Sequence, residues 1–234
     1  MVFTQSLRVK LYLLFIGMVF LTPNSVMAKD KIDYSISPRF YLSALSIGGV
    51  KGGVDLSVMP MAGLSFTVYP LEHYDFTFNF LYGGASNDTP SEMERVDIEL
   101  LIRRTFTDSP FYFSFGYRYV NFKYESGIYK EDNNAHLIEF GPGFSTSISD
   151  NNKHSLFANL VLGIGAFDIV AENPTFNDDG FSYGIDGNIG YQYLISRAMS
   201  ISTRYRIIAL HSFGSELQSN VLAHGPDIAF TYRF

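Results

Sequence analysis

Arginine and carboxylate residues recur at alternate positions of this chain, where they could pair with one another. Arg95, Asp97 and Glu99 form one such run. A guanidinium group binds a carboxylate through two parallel hydrogen bonds, so such side chains are expected to neutralise each other wherever they share an enclosed space. A network of this kind can serve as a selectivity filter, a proton relay or a polar plug. These side chains are predicted to share one enclosed space, the lumen of the barrel that is argued for below, and we call them the lumen charge network. Its members are Arg39, Asp75, Arg95, Asp97, Glu99, Arg103, Arg118, Glu139, Asp186, Arg204, Arg206 and Asp227. Arg233 is expected to point into the same space.

The adjacent pair His211 and Ser212 is a weaker candidate for chemistry. A serine nucleophile needs a base within hydrogen-bonding reach. The pair partly resembles the late His-x-Ser-Asn motif of the lipid A deacylases, which lies near the outer end of the penultimate strand. Here serine directly follows histidine, the asparagine is missing, and no acidic residue takes the orienting place on the last strand. A histidine and a serine at a loop edge therefore remain the favoured interpretation. The catalytic motifs of the omptin-like proteases are absent as well.

No cofactor or metal site is predicted. The other histidines, at positions 73, 136, 154 and 224, show no metal-ligand spacing, and the chain contains no cysteine. Asp178, Asp179 and Gly180 are better explained as a solvated loop tip than as a calcium site. The formal net charge is −6, which argues against nucleic acid as a partner.

The elements that must position these side chains are strands. Residues 111–119 place Phe and Tyr at every second position, and Tyr112, Ser114, Gly116 and Arg118 lie between them. The same alternation occurs at 74–83 and 181–193. Since alternate side chains of a strand point to opposite faces, each segment predicts a strand with one aromatic face and one small or charged face.

Counting such segments predicts an all-β, antiparallel up-and-down transmembrane β-barrel of about ten strands, with eight as the alternative. Each strand is expected to contain about 9–11 residues, the length that crosses a bilayer at a tilt. Phe and Tyr would face lipid, and the charged residues would fill a narrow lumen. Short turns are expected at 70–73, 107–110, 150–154 and 195–198, and longer polar loops at 46–56, 84–93, 126–135, 171–180 and 212–221.

Residues 1–28 are predicted to be a secretory signal peptide, and 29–234 the barrel domain. Arg8 and Lys10 precede an apolar run that ends before Pro23, and residues 25–28 read Ser-Val-Met-Ala, a small-residue cleavage site. Removing 28 residues takes away two basic residues and no acidic one, so the net charge changes from −6 to −8.

The final segment carries Ile228, Phe230, Tyr232 and Phe234 on one face, and the chain stops on that phenylalanine. This segment resembles the closing strand of bacterial outer-membrane β-barrel proteins, which typically ends in a C-terminal aromatic residue. The resemblance implies an outer-membrane location, contact with outer-membrane lipid, and recognition of Phe230, Tyr232 and Phe234 by the barrel-assembly machinery. An extracellular partner is not identified by any motif.

Three functions stay open at this stage. The preferred one is a structural or surface-interaction barrel with a plugged polar lumen, because a barrel of about eight to ten strands encloses little more than its own side chains. A narrow channel for small solutes is the alternative, and a lipid A-modifying hydrolase is the second alternative.

One specific contact is also predicted. If Asp108 and Ser109 are the two residues of a hairpin turn, positions that sum to 217 face each other, and Glu99 lies opposite Arg118 on the lumen face. A directly opposed carboxylate and guanidinium are expected to form an ion pair.

Overall fold

A computed structural model of the chain describes residues 28–49, 54–86, 91–172, 175–214 and 218–234. The predicted signal peptide, apart from Ala28, lies outside the described residues and stays a prediction. Among the described residues, no helix is long and apolar enough to cross a membrane.

The described residues form ten antiparallel strands that close into a barrel, in which each strand pairs with its neighbours in sequence and the first pairs with the last. The prediction of an all-β barrel with ten strands is therefore confirmed. The strands are β1 (Ala28–Gly49), β2 (Val54–Leu71), β3 (Tyr74–Ser86), β4 (Ser91–Thr105), β5 (Phe111–Ser126), β6 (Tyr129–Ser147), β7 (His154–Glu172), β8 (Phe176–Leu194), β9 (Met199–Gly214) and β10 (Gln218–Arg233).

The alternation read from the sequence gives the two faces of the wall. On β1, Arg39 and Tyr41 point inward and are buried, whereas Phe40 and Leu42 point outward and are exposed. On β5, Ser114 and Arg118 are inward, and Phe113 is outward. Apolar side chains on the outside and mixed side chains on the inside are the arrangement of a barrel that crosses a membrane.

The two ends of the barrel differ. We call the end with the connections at 72–73, 106–110, 148–153 and 195–198 the turn end, and the opposite end the loop end. The first and last described residues, Ala28 and Phe234, lie at the turn end, where Tyr34 and Phe234 exchange backbone hydrogen bonds of 3.0 and 2.9 Å. The predicted short turns are confirmed to within a few residues, and Asp108 and Asn152 adopt the positive φ angles that tight turns require.

The prediction of long polar loops is wrong. Residues 126–135 contain only a two-residue turn at Gly127 and Ile128, after which β6 begins, and the strands also extend into the other four predicted loops. Accordingly, strands contain 13 to 22 residues instead of about 9–11. The reason is that backbone pairing does not depend on lipid: Asn121 pairs with Asn134 and Lys123 with Asp132, so the polar hairpin β5–β6 stays in register beyond the apolar band.

Candidate functional site

The predicted charge network lies inside the barrel, close to mid-height. Ten of its twelve members are buried; the side chains of Arg103 and Arg204 are 38% and 24% exposed because they lie nearer the turn end. Arg233, also expected in the lumen, is 46% exposed at the turn end, where its side chain pairs with Asp33 at 2.6 Å and lies over the Tyr69 ring. Alternation predicted an inward, enclosed position for Arg233, but this position lies at the rim of the turn end, where the side chain is partly exposed.

Arg118 is the centre of the network. Its side chain is 1% exposed and contacts three carboxylates from three other strands. It donates to Asp97 at 2.8 Å through Nε, to Asp186 at 2.6 Å through Nη1, and to Glu139 at 3.4 Å through Nη1. One guanidinium therefore ties β4, β6 and β8 to β5 across the lumen.

Asp186 extends the network to the far wall. It accepts hydrogen bonds from Arg206 on β9 as well as from Arg118, and both oxygens lie 3.1 Å from the Arg206 Nε. Arg206 in turn lies 3.9 Å from Glu99 on β4. Each buried charge thus has partners of opposite sign, which is the condition under which buried ion pairs are tolerated.

A second group joins the network from the β1–β10 side. Asp227 accepts hydrogen bonds from Arg39 and from Arg204, the latter at 2.8 and 2.9 Å. Arg39 also donates to the Asn79 carbonyl at 3.2 Å, and the Asn79 amide donates to Glu99 at 2.6 Å. Asn79 is a neutral link between the two groups that charge counting could not identify.

For the predicted pair of Glu99 and Arg118, the strand register is as predicted but the side-chain contact is not. The register is confirmed, since Glu99 faces Arg118 and Thr105 faces Tyr112. The contact is wrong: Arg118 pairs instead with Asp97, whose own direct partner is Val120. Twisted strands that tilt in a closed barrel bring diagonal neighbours together on the inner face, so the residue two positions away is reached in place of the directly opposed one.

Arg95 marks the upper boundary of the network. It is fully buried, donates to Asp97 at 3.0 Å, and its guanidinium lies 5.1 Å from the centre of the Phe122 ring. Arg103 and Asp75 form a separate pair at 2.6 Å nearer the turn end. All twelve predicted members therefore have ionic partners in the structure.

The loop-end half of the lumen holds a feature that the sequence reasoning missed. Packed apolar side chains occupy much of it, and we call them the apolar cluster. Its signal was available in segments such as 80–82, where Phe80, Leu81 and Tyr82 make both faces apolar. The cluster contains Tyr41, Leu45, Met59, Met61, Leu81, Met93, Val120, Phe122, Ala135, Leu137, Phe167, Ile169, Ile208, Leu210, Val221 and Ala223.

His211 and Ser212 do not form a catalytic pair. They are neighbours in β9, so their side chains point to opposite faces. Ser212 is buried inside, where its hydroxyl lies 3.0 Å from that of Ser182, while His211 lies outside against Phe213, Tyr183 and the Asn220 side chain. Among the described residues, no group of three or more His, Cys, Asp and Glu side chains is arranged to hold a metal ion.

The aromatic residues of the last strand line its outer face. Phe230, Tyr232 and Phe234 are exposed, and Phe234 stacks between Tyr34 and Tyr232 at centroid distances of 5.9 and 6.0 Å. They form a lipid-facing stripe at the turn end, beside the seam where β10 meets β1.

No protein-family model matches the sequence, and no curated protein does. Solved structures do match. The outer-membrane protease OmpT of Escherichia coli is 9% identical, with 90% of this chain and 99% of that one covered and a TM-score of 0.50. The translocator domain of the autotransporter NalP from Neisseria meningitidis is 8% identical over 99% and 97% of the two chains (TM-score 0.46), and Neisserial surface protein A is 10% identical over 85% and 99% (TM-score 0.37).

These neighbours are bacterial outer-membrane β-barrel proteins. At such identities the likeness to OmpT concerns the fold and carries over no activity. The chain has the fold of a small bacterial outer-membrane β-barrel.

Proposed function

We propose that this protein is an outer-membrane barrel with a structural or surface-interaction role, whose lumen is closed by its own side chains. The observation that carries the proposal is the charge network, to which β1, β3–β6 and β8–β10 all contribute side chains and in which Arg118 spans the lumen. The apolar cluster lies on top of it. A hydrated ion would have to break buried ion pairs and cross an apolar layer, and both steps are unfavourable.

The outer face supports the proposed location. Phe78, Leu100, Phe113, Leu162 and Ile185, which lie on five different strands, are all exposed on the outer face. A continuous apolar band of this kind is costly in water and stable in lipid. The predicted signal peptide and the outer-membrane barrels among the structural neighbours are consistent with the same location.

The loop end supports a role at the cell surface. The strands β4–β8 extend past the apolar band, and their outward side chains there are mostly acidic. Lys123 and Lys130 lie among them and pair with Asp132 and Glu125 at 4.0 and 3.1 Å. The remaining outward acidic residues on this wall include Glu92, Glu94, Asp168, Glu172 and Asp179.

Two partners belong to the proposal. Outer-membrane lipid would contact the apolar band, and the barrel-assembly machinery would recognise the C-terminal strand through Phe230, Tyr232 and Phe234. Deleting Phe234 is expected to lower the amount of assembled barrel and to raise degradation in the periplasm. Unchanged assembly over a range of expression levels would contradict this part of the proposal.

Conductance in a planar lipid bilayer tests the closed lumen. The refolded protein is expected to show negligible conductance. Stable single-channel steps that change when Arg118 or Asp186 is replaced would support the alternative function, a narrow channel for small solutes. The same sample should migrate differently on gels before and after heating, and recovery of a monodisperse protein without detergent would contradict the membrane location.

The lipid A hydrolase is the least supported of the three functions. His211 and Ser212 lie on opposite faces of β9, so the histidine cannot act as a base for that serine. Mass spectrometry of lipid A from a host that expresses the protein tests this function. The lipid A is expected to have the same mass as that from a host that expresses a His211→Ala variant.

A further inference from the structure

The seam between β1 and β10 is interrupted at the level of the apolar band. Pairing continues on both sides with the same register, from Arg39 with Ala229 and Tyr41 with Asp227 to Ala44 with His224. Between these rows, Leu42 and Ser43 have no pairing partners on β10. Toward the turn end a second gap occurs at Ser37 and Pro38, but there the Ser37 hydroxyl lies 2.8 Å from that of Thr231 and bridges the two strands. The seam is therefore less tightly bonded at Leu42 and Ser43 than in the paired rows on either side.

A Gly-Pro sequence causes the interruption. Proline has no N–H to donate, and Pro226 lies where Leu42 would need a partner. Gly225 has φ +154°, and a Cβ at this position would lie 1.9 Å from the Leu42 carbonyl oxygen. The same two residues keep their partners Arg206 and Tyr205 on β9, so the defect belongs to the β1 side alone.

The chain contains a matched comparison. Gly141 and Pro142 on β6 interrupt the pairing with Leu160 and Val161 on β7, and a Cβ at Gly141 would lie 1.9 Å from the Leu160 carbonyl oxygen. Here a side-chain bridge lies beside the interruption, because the hydroxyl of Tyr112 on β5 donates to the carbonyl of Ala158 on β7 at 3.3 Å.

No such bridge occurs among the described residues of the β1–β10 seam at this height. Tyr41 and Ser43 point inward beside it and are fully buried, yet their hydroxyl groups have no hydrogen-bond partner. The seam thus combines two weaknesses, a gap in the backbone pairing and polar side chains that do not close it.

Apart from the hydroxyl groups of Tyr41 and Ser43, the side chains around this stretch of wall are largely apolar. Leu42 and Leu222 are exposed on the outside, and Leu45 and Ala223 of the apolar cluster lie directly inside. Below, Asp227 and Arg39 belong to the charge network and close the path toward the turn end. A molecule that passed through this wall would move between lipid and an apolar interior.

We propose that the β1–β10 seam at Leu42, Ser43, Gly225 and Pro226 is a lateral portal between the bilayer and the apolar cluster, which admits a linear apolar molecule of the chemical class of an alkyl or acyl chain. Opening needs the loss of few backbone bonds here, and methionines 59 and 61 on the neighbouring strand are flexible side chains that can repack around such a chain.

Cysteine labelling tests the portal, and the absence of native cysteine makes the background clean. Ala223→Cys places a thiol inside the portal, and Ala135→Cys places one in the same apolar cluster on the fully paired part of β6. In liposomes, pyrene maleimide, which dissolves in the bilayer, is expected to label position 223 about tenfold faster than position 135, as expected for a locally easier opening. A charged, water-soluble thiol reagent is expected to label both slowly.

Pro226→Thr restores an N–H on the β1 side and should suppress labelling at position 223, whereas the matched change Pro142→Thr should leave it unaltered. Equal labelling of positions 223 and 135, or labelling that is insensitive to Pro226→Thr, would overturn the proposal. Faster labelling by the water-soluble reagent would also overturn it, because access would then come from the loop end. If Pro226→Thr fails to refold, hydrogen exchange of the unchanged protein decides, with faster exchange expected at Leu42 and Ser43 than at Leu160 and Val161.

Discussion

The two halves of the lumen are built on the same strands and are filled in opposite ways. On β6 two successive inward-facing residues belong to different layers, Leu137 to the apolar cluster and Glu139 to the charge network. On β9 the same change occurs between Ile208 and Arg206. The backbone is regular through both boundaries. Side-chain chemistry alone therefore divides the barrel into two layers.

The layers differ in how they specify the structure. The charge network fixes which strands meet, because each guanidinium needs particular carboxylates in particular directions. The apolar cluster needs only matching volume, since dispersion and burial are not directional. We therefore expect the network to respond to the loss of a single partner more sharply than the cluster responds to the loss of a single side chain.

The largest effect is expected for Arg118→Met. The substitution would leave Asp97, Glu139 and Asp186 buried without their shared cation, at a cost of about 3–5 kcal/mol in the free energy of unfolding. Urea unfolding of the refolded protein in detergent micelles measures it. Lys130→Met is the control, because the Lys130–Glu125 pair is half-exposed and should contribute at most about 1 kcal/mol. Similar losses for both variants would show that the network is not the stabilising layer we describe.

Leu137→Ala tests the other layer. Leu137 is 2% exposed in the apolar cluster, and its truncation is expected to cost about 2–4 kcal/mol through lost burial and a residual cavity. Leu160→Ala, on the lipid-facing side of the adjacent strand, should cost clearly less because lipid fills the space that is vacated. The same unfolding assay compares the two, and a larger loss at Leu160 would contradict the assignment of the faces.

A double-mutant cycle sharpens the comparison within the network. Asp97 and Arg118 are in contact, so replacing both should show a coupling energy of roughly 1–3 kcal/mol. Glu99 and Arg118 face each other in the register but do not pair, so their coupling should be clearly smaller than that of Asp97 and Arg118. The reverse order would mean that direct opposition, and not the diagonal, decides contacts inside this barrel.

The pair of Glu99 and Arg118 also shows which features of the barrel the sequence predicts. Strand alternation and one turn were enough to place Glu99 opposite Arg118, because both are local properties. The turn itself has Thr107 and Asp108 at its centre, one residue before the predicted position, but Phe106 still pairs with Phe111 and the register is the same. The contact with Asp97 depends on strand tilt in the closed barrel, which no local pattern encodes. The link through Asn79 was missed for a related reason, since a neutral side chain gives no signal in a charge count.

The lengths of the strands and the filling of the loop end were harder to predict. Polar residues such as Asn121 and Asp132 suggested a loop. They belong to strands, because backbone pairing between neighbouring strands can continue in water. Leu81 and Met93 are inward residues among apolar neighbours, so alternation of hydrophobicity disappears where both lipid and interior are apolar. In both cases the sequence indicates the two-residue alternation of a strand, but it does not indicate whether each face meets water, lipid or the barrel interior.

The smallest effect is expected for the pair of Arg103 and Asp75, which is the part of the charged face nearest the turn end. The Arg103 side chain is 38% exposed, although its Nε donates to Asp75 at 2.6 Å. Water can replace the guanidinium as a partner for Asp75 at this position, so Arg103→Met should lower the free energy of unfolding by only about 1 kcal/mol. Raising the salt concentration should reduce the stability of the unchanged protein by at most a similar amount, because exposed charges are screened and buried ones are not. Urea unfolding at two salt concentrations measures both. If Arg103→Met lowered the free energy of unfolding as much as Arg118→Met, burial could not explain the larger contribution expected of the ion pairs at mid-height.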